Sequence, residues 1–118
     1  MSDIKITPSI MTRNQHTDMR SMLVDLDAEL TVLMSIVEDK DKRSGSVAAC
    51  TNCLTLIDDI TEVNAKKALK DIREKLNVII PDLEYMRRVA PRLGGRRKRC
   101  QESRLSALVD EVLGSTSA

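Results

Sequence analysis

Apolar residues recur at alternating spacings of four and three in two segments of the chain, and this pattern constrains the fold more than any other feature. Between residues 18 and 38, and again between 64 and 79, they occupy one stripe, and charged residues occupy the other faces. Such spacing is the heptad pattern of helices that pack along a seam. The stripe residues are Met19, Leu23, Leu26, Leu30, Leu33 and Val37 in the first segment and Leu69, Ile72, Leu76 and Ile79 in the second.

The near absence of aromatic residues points to the same class of fold. The chain of 118 residues has one Tyr and no Phe or Trp, so its core must be built mainly from Leu, Ile, Val, Met and Ala. Helix–helix packing suits those side chains. We predict an all-α fold, a small helical bundle of four to five helices with heptad stripes. A chain this short buries a modest share of its surface, so we expect dimerisation to complete the core, with the stripe residues at the oligomer interface.

The length fits one domain, and we predict its limits from composition. Residues 1–13 read as a flexible N-terminal arm, residues 14–113 as a single helical domain, and residues 114–118 as a frayed C-terminus. Thr17 or Asn14 is the expected N-cap of the first helix, which covers residues 18–38.

The later helix boundaries are predicted from capping residues and prolines. Ser46 is the expected N-cap of a second helix, and the capping-box spacing of Asp59 and Glu62 favours a restart of the chain near residue 60. Pro81 is expected to end the third helix at Ile80 and to begin a short helix. A last helix is predicted over residues 101–113.

Positive charge is concentrated in one segment. Residues 87–104, named here the basic segment, hold eight Arg and Lys residues and a single acidic residue, Glu102, and so carry a net charge of +7. Because the whole chain carries +1, the remainder carries −6. Such an asymmetry favours a polyanionic partner for the segment.

We interpret the basic segment as a nucleic-acid contact. Arginine and lysine neutralise phosphates, and without interleaved aromatics the contact would be to backbone and shape, as in duplex recognition. RNA is the expected ligand ahead of DNA. Two other interpretations stay open for its RRKR run, a nuclear-import signal and a solvated loop; a processing site is disfavoured because the N-terminus lacks a signal peptide. The predicted contact residues are Arg87, Arg88, Arg92, Arg96, Arg97, Lys98 and Arg99.

A second cationic stripe, formed by Lys66, Lys70 and Arg73, lies in the segment that precedes Pro81. Asp71 and Glu74 are interleaved with it. We therefore predict an ordinary ion-paired helix face there.

Cys50 and Cys53 form a C-x-x-C pair, which is one of the spacings that zinc sites use. With Cys100 and His16 it would complete four ligands, but no second ligand pair accompanies it. The pair also falls on an apolar helical face, where free cysteines act as small hydrophobes. We predict core packing for the pair, and no metal or other cofactor.

The function expected from these features is binding without catalysis. No nucleophile–base pair can be argued from a single histidine, and no apolar run is long enough to span a bilayer. We expect an intracellular protein, cytoplasmic or nuclear, that forms a homodimer or higher oligomer. The alternative is an adaptor whose helical stripe binds a helix of another protein.

The expected architecture is similar to that of small, aromatic-poor helical dimers among viral silencing suppressors, which bind duplex RNA by shape. The resemblance is one of architecture alone and includes no sequence motif. It implies an accessory or regulatory role of the viral type.

Overall fold

The computed structural model describes residues 10–36, 40–89 and 101–115, and within these ranges the chain is helical, without a strand. The helices are α1 (Arg13–Met34), α2 (Lys40–Asp58), α3 (Ala65–Val89) and α4 (Gln101–Ser115). The all-α prediction is confirmed for this part of the chain. It contains four helices, the lower of the two expected numbers. Dimerisation stays a prediction. The predicted arm, residues 1–13, overlaps the described residues at 10–13, where Met11 is buried and Arg13 begins α1. Residues 1–9 and 116–118 lie outside the described residues.

The helices form an up-and-down bundle in which α1 and α3 each pack against both α2 and α4. Arg20 near the start of α1 pairs with Asp58 at the end of α2, and Arg87 near the end of α3 pairs with Glu102 at the start of α4. Neighbouring helices are therefore antiparallel. It follows that α1 and α3 finish, and α2 and α4 begin, at the same end of the bundle, which we call the basic end because the basic segment joins α3 to α4 there.

The apolar stripes predicted to face another subunit are buried inside a single chain. Each described member of that set is at most 4 % exposed; Val37 lies outside the described residues. A dimer through these same side chains would require helices to be exchanged between subunits. The stripe residues buried in this way are Met19, Leu23, Leu26, Leu30, Leu33, Leu69, Ile72, Leu76 and Ile79.

The predicted end of the third helix at Pro81 is wrong, because α3 continues through this proline to Val89. Pro81 is exposed and cannot donate a hydrogen bond to the carbonyl of Asn77, which is itself an exposed residue that water can reach. A proline inside a helix costs about 3 kcal/mol. Burial of Leu83 and Met86 beyond it contributes roughly 1.5–3 kcal/mol each. Tertiary packing therefore outweighs the local preference.

The first helix begins earlier than predicted, at Arg13, and neither Thr17 nor Asn14 is its N-cap. Thr12 caps it through a capping box: the Gln15 amide donates to Thr12 Oγ1 at 3.0 Å, and the Thr12 amide donates to Gln15 Oε1 at 2.8 Å. Two otherwise unsatisfied amides are thereby paired. The helix ends at Met34 rather than at residue 38.

Of the remaining predicted boundaries, the restart near residue 60 is confirmed and the N-cap at Ser46 is wrong. The chain does break after Asp58 and restarts at Ala65, but the residues that exchange hydrogen bonds in the break are Thr61 and Asn64. Ser46 is not an N-cap, because α2 begins at Lys40 and includes it.

Candidate nucleic-acid interface at the basic end

Arg87 is held inside the bundle by two carboxylates. Its Nε and Nη2 donate to the two carboxylate oxygens of Glu29 at 2.7 and 2.8 Å, and its Nη1 donates to Glu102 Oε2 at 2.8 Å. The side chains are 18 % exposed for Arg87, 24 % for Glu29 and 5 % for Glu102. Hydrogen bonding to Glu29 raises the pKa of Arg87, burial lowers it, and Glu102 raises it further. The cluster thus ties α1, α3 and α4 together.

This engagement changes the expected role of Arg87. All three guanidinium nitrogens of the residue have carboxylate partners, and such bidentate pairs are among the stronger hydrogen bonds of proteins. A phosphate would have to displace a carboxylate to bind here. We therefore assign Arg87 to holding the bundle and remove it from the proposed contact set.

Arg88, the next residue, lies about 100° further around α3 and is exposed. Its guanidinium carbon lies 5.9 Å from the centre of the Tyr85 ring, within the range of a cation–π contact. Arg104, in the first turns of α4, is also exposed. Exposed arginines therefore lie on both helices that the basic segment connects.

The other predicted contacts fall between the two helices. Arg92, Arg96, Arg97, Lys98 and Arg99 lie outside the described residues, in the connection of residues 90–100. Helix connections in bundles usually have about 2–8 residues, and the connection between α1 and α2 at the same end needs only residues 35–39. The α3–α4 connection is thus longer than the bundle requires.

The second cationic stripe is partly paired within the bundle. Arg73 forms an ion pair with Asp110 of α4, whereas Lys66, Lys67 and Lys70 are exposed on the outer side of α3. Arg73 pairs with another helix, so the predicted ion pairing with Asp71 and Glu74 within the face stays a prediction. The three lysines provide a comparison for the basic segment.

Cys50 and Cys53 are fully buried and have free thiols. The Cys50 thiol donates to the carbonyl of Leu23 at 3.6 Å. Burial raises the pKa of each thiol to about 12, which opposes formation of the thiolate that metals and electrophiles require. The geometry matches the predicted role in the core.

His16 takes part in the contact between α1 and α2. Its Nε2 forms a hydrogen bond with the carbonyl of Ile57 at 2.9 Å. Over the described ranges, no group of three or more His, Cys, Asp and Glu side chains is arranged to hold a metal ion. Cys100, the remaining member of the considered zinc set, lies outside those ranges.

Sequence reasoning missed a buried polar contact between α2 and α3. Ser46 Oγ donates a short hydrogen bond to Asp82 Oδ2. Ser46 and Glu102 are the buried polar residues of the described chain, and both lie in the half of the bundle nearer the basic end. The signal was present, because Ser46 precedes Cys50 by four residues and so extends the buried stripe of α2.

No family model matches the chain, and searches of curated proteins and of solved structures found no significant match. None of the helices in the described ranges combines the length and apolar character needed to cross a bilayer.

Proposed function

We propose that this protein is a non-enzymatic, oligomeric helical protein that binds nucleic-acid backbone through its basic segment, RNA in preference to DNA. The contact set is Arg88, Arg92, Arg96, Arg97, Lys98, Arg99 and Arg104, with Arg104 added and Arg87 removed relative to the sequence-based set.

One observation carries the proposal. Arg87 engages Glu102, the single acidic residue of the basic segment, and both side chains belong to the bundle. The other seven cationic residues therefore have no acidic residue within the segment to neutralise them. Seven positive charges on the α3–α4 connection and on the helix ends beside it are suited to contact with several phosphates.

The proposal includes a preference for RNA over DNA and an oligomeric state of the protein. The preference for RNA rests on an analogy, expected from the sequence, between this helical architecture and that of proteins that bind duplex RNA by shape. An oligomer would present the basic segment more than once on the same nucleic acid and so raise affinity without new contacts.

Binding to fluorescently labelled RNA across a salt series tests the proposal. We expect log K to fall linearly with log salt, since each neutralised phosphate releases counterions. The variant Arg96→Ala/Arg97→Ala/Lys98→Ala should reduce the magnitude of the salt slope by about 2–3. Its matched control, Lys66→Ala/Lys67→Ala/Lys70→Ala, removes the same charge from the outer side of α3 and should leave binding nearly unchanged. Absence of binding at low salt, or equal losses in the two variants, would contradict the proposal.

A second candidate, a protein–protein adaptor, is favoured by the outer face of α1. Residues 17, 21, 24, 28, 31 and 35 follow the four-and-three spacing, are all exposed and carry no charge. Val24 and Val32 are among the large apolar residues exposed there. In this candidate the RRKR run is a nuclear-import signal. The adaptor replaces the nucleic-acid-binding candidate if two results are obtained together. RNA fails to bind, and a fluorescent fusion of the protein accumulates in the nucleus whereas the fusion with the RRKR→AAAA change does not accumulate there.

A further inference from the structure

Tyr85 is the only aromatic residue of the chain, and it is not one of the fully buried core residues. It lies on α3, four residues before the helix ends at Val89, and its ring is half-buried at the edge of the core. Each residue of an α-helix adds about 1.5 Å of rise, so Tyr85 lies about 6 Å along the axis from Val89, where α3 ends and the chain continues into the connection to α4. An aromatic ring is thus placed near the end of α3.

The surroundings of Tyr85 on the outer side of α3 are apolar and cationic. Val78 is 57 % exposed, Val89 is 50 % exposed, and Pro81 is exposed between them. These residues share one face with Tyr85 because they lie three to four positions apart. Arg88 completes the site, with its guanidinium 5.9 Å from the ring centre.

We propose that Tyr85 and Arg88 form a stacking site for an unpaired base of a single-stranded nucleic acid, whose phosphates contact the basic segment. Aromatic rings and arginine planes bind bases that are splayed out of a strand, and they do so with little sequence preference. Bases within a continuous duplex are already stacked on each other and would not engage this site. The inference rests on the proposed function, and it replaces the expected duplex ligand with single strands, loops or ends.

Charge complementarity selects this occupant over an apolar segment of another protein. An apolar partner would cover Val78 and Val89 but would leave the adjacent guanidinium of Arg88 without a phosphate or carboxylate to contact. A single strand offers both parts, since each nucleotide carries a base with a π-face and a phosphate. The Tyr85 ring and the Arg88 guanidinium lie close enough to be contacted by neighbouring nucleotides.

Tyrosine fluorescence gives a direct test, because Tyr85 is the sole tyrosine and the chain has no tryptophan. The full chain is titrated with a single-stranded RNA of about twelve nucleotides, within the usual range of site sizes, and separately with its duplex form. We expect quenching of Tyr85 emission by the single strand and little change with the duplex. The anisotropy of the labelled RNA reports binding in both titrations.

Variants separate stacking from folding. Tyr85→Leu should raise the Kd for the single strand about tenfold and leave the Kd for the duplex unchanged, whereas Tyr85→Phe should bind as the parent does. Thermal unfolding of both variants reports whether the bundle is intact.

Any of four outcomes would overturn the stacking site. Binding of RNA without quenching, or an equal loss of both ligands in Tyr85→Leu, removes it and leaves the proposed function standing. A tyrosine signal that changes with protein concentration in the absence of RNA, and not on adding RNA, indicates a protein partner instead. Absence of binding by either RNA form removes the proposed function together with this inference.

Discussion

Replacement of Arg87 by methionine is expected to destabilise the bundle strongly. Methionine retains an apolar stem but removes the charge that Glu29 and Glu102 share. Glu102 is 5 % exposed, so it would be left as a buried carboxylate without its cation. Breaking a buried ion pair from one side costs about 3–5 kcal/mol. Because Arg87 and Glu29 retain some contact with solvent, we expect a loss near the lower limit, about 3 kcal/mol.

Urea unfolding followed by circular dichroism measures this loss directly. A decrease of about 3 kcal/mol corresponds to a fall in Tm of roughly 12 °C for a domain of this size. Since the pKa of Arg87 is raised, its contribution is complete at every pH below the ordinary arginine value and is lost only as pH rises through the folded pKa. We therefore expect Arg87's own ionisation to add no pH dependence near neutrality.

Two further variants test whether the uncompensated carboxylates cause this loss of stability. Adding Glu29→Gln and Glu102→Gln to Arg87→Met removes the uncompensated carboxylates, so the triple variant should be more stable than Arg87→Met alone. Arg88→Met, at the exposed neighbouring position, should change stability by about 0.5 kcal/mol or less. The reasoning is refuted if Arg87→Met costs no more than Arg88→Met, or if the triple variant is less stable than Arg87→Met.

Three further predictions concern the core and α3. In a Cys100→Ser background, Cys50 and Cys53 should resist thiol reagents until the protein unfolds. Because burial raises their pKa values to about 12, the free energy of unfolding should fall as pH rises above about 9. The expected slope is about 1.4 kcal/mol per pH unit for each thiol that ionises only in the unfolded chain. Ser46→Ala should lower the free energy of unfolding by about 1–2 kcal/mol, because it removes a buried hydrogen-bond donor. Pro81→Ala should raise it by about 1–3 kcal/mol, since alanine restores an amide donor and has a higher helix propensity.

Each of these predictions has a control and a contrary result. Removing both core thiols should abolish their share of the alkaline loss, and rapid labelling of the folded protein would contradict their burial. Thr51→Ala, at an exposed position of α2, should have a smaller effect than Ser46→Ala in the same urea assay. A loss of stability in Pro81→Ala would mean that the packing of α3 depends on the proline.

The helices were predictable because apolar spacing reports the buried side of a helix directly. The stripe of α3 could have corrected the error at Pro81, since Ile79, Leu83 and Met86 keep the same spacing across the proline. The prediction of a helix end at Pro81 depended on the local effect of proline alone. Spacing over several turns is the stronger signal because it reflects packing of the whole helix.

The ion-pair cluster was less accessible to sequence reasoning. Glu29 and Arg87 are separated by 58 residues, and nothing local marks them as partners. A run of arginines indicates a basic surface, yet it does not tell which member turns inward. Here α3 directs Arg87 to the bundle and Arg88 outward, because adjacent residues differ by about 100° around a helix axis.

The predicted oligomer interface is untested, but the described residues assigned to it are buried within a single chain. The stripe residues have the spacing of a coiled coil, but the same spacing serves a bundle that closes within one chain. Burial of Leu30, Leu33 and Leu76 by other helices of the same chain is the observation that shifts attention to the outer faces.

We expect the buried polar residues Ser46 and Glu102 to make local stability differ along the bundle. Apolar side chains fill the core along its length, and the half nearer the basic end also contains hydrogen bonds of these two residues, which water can replace. Amide hydrogens in the first turns of α4 and the last turns of α3 should therefore exchange sooner than those around Leu69 and Ile72. If this order of exchange is observed, the end that carries the cations opens while the rest of the bundle stays folded, and the chain can then adjust to a ligand without global unfolding.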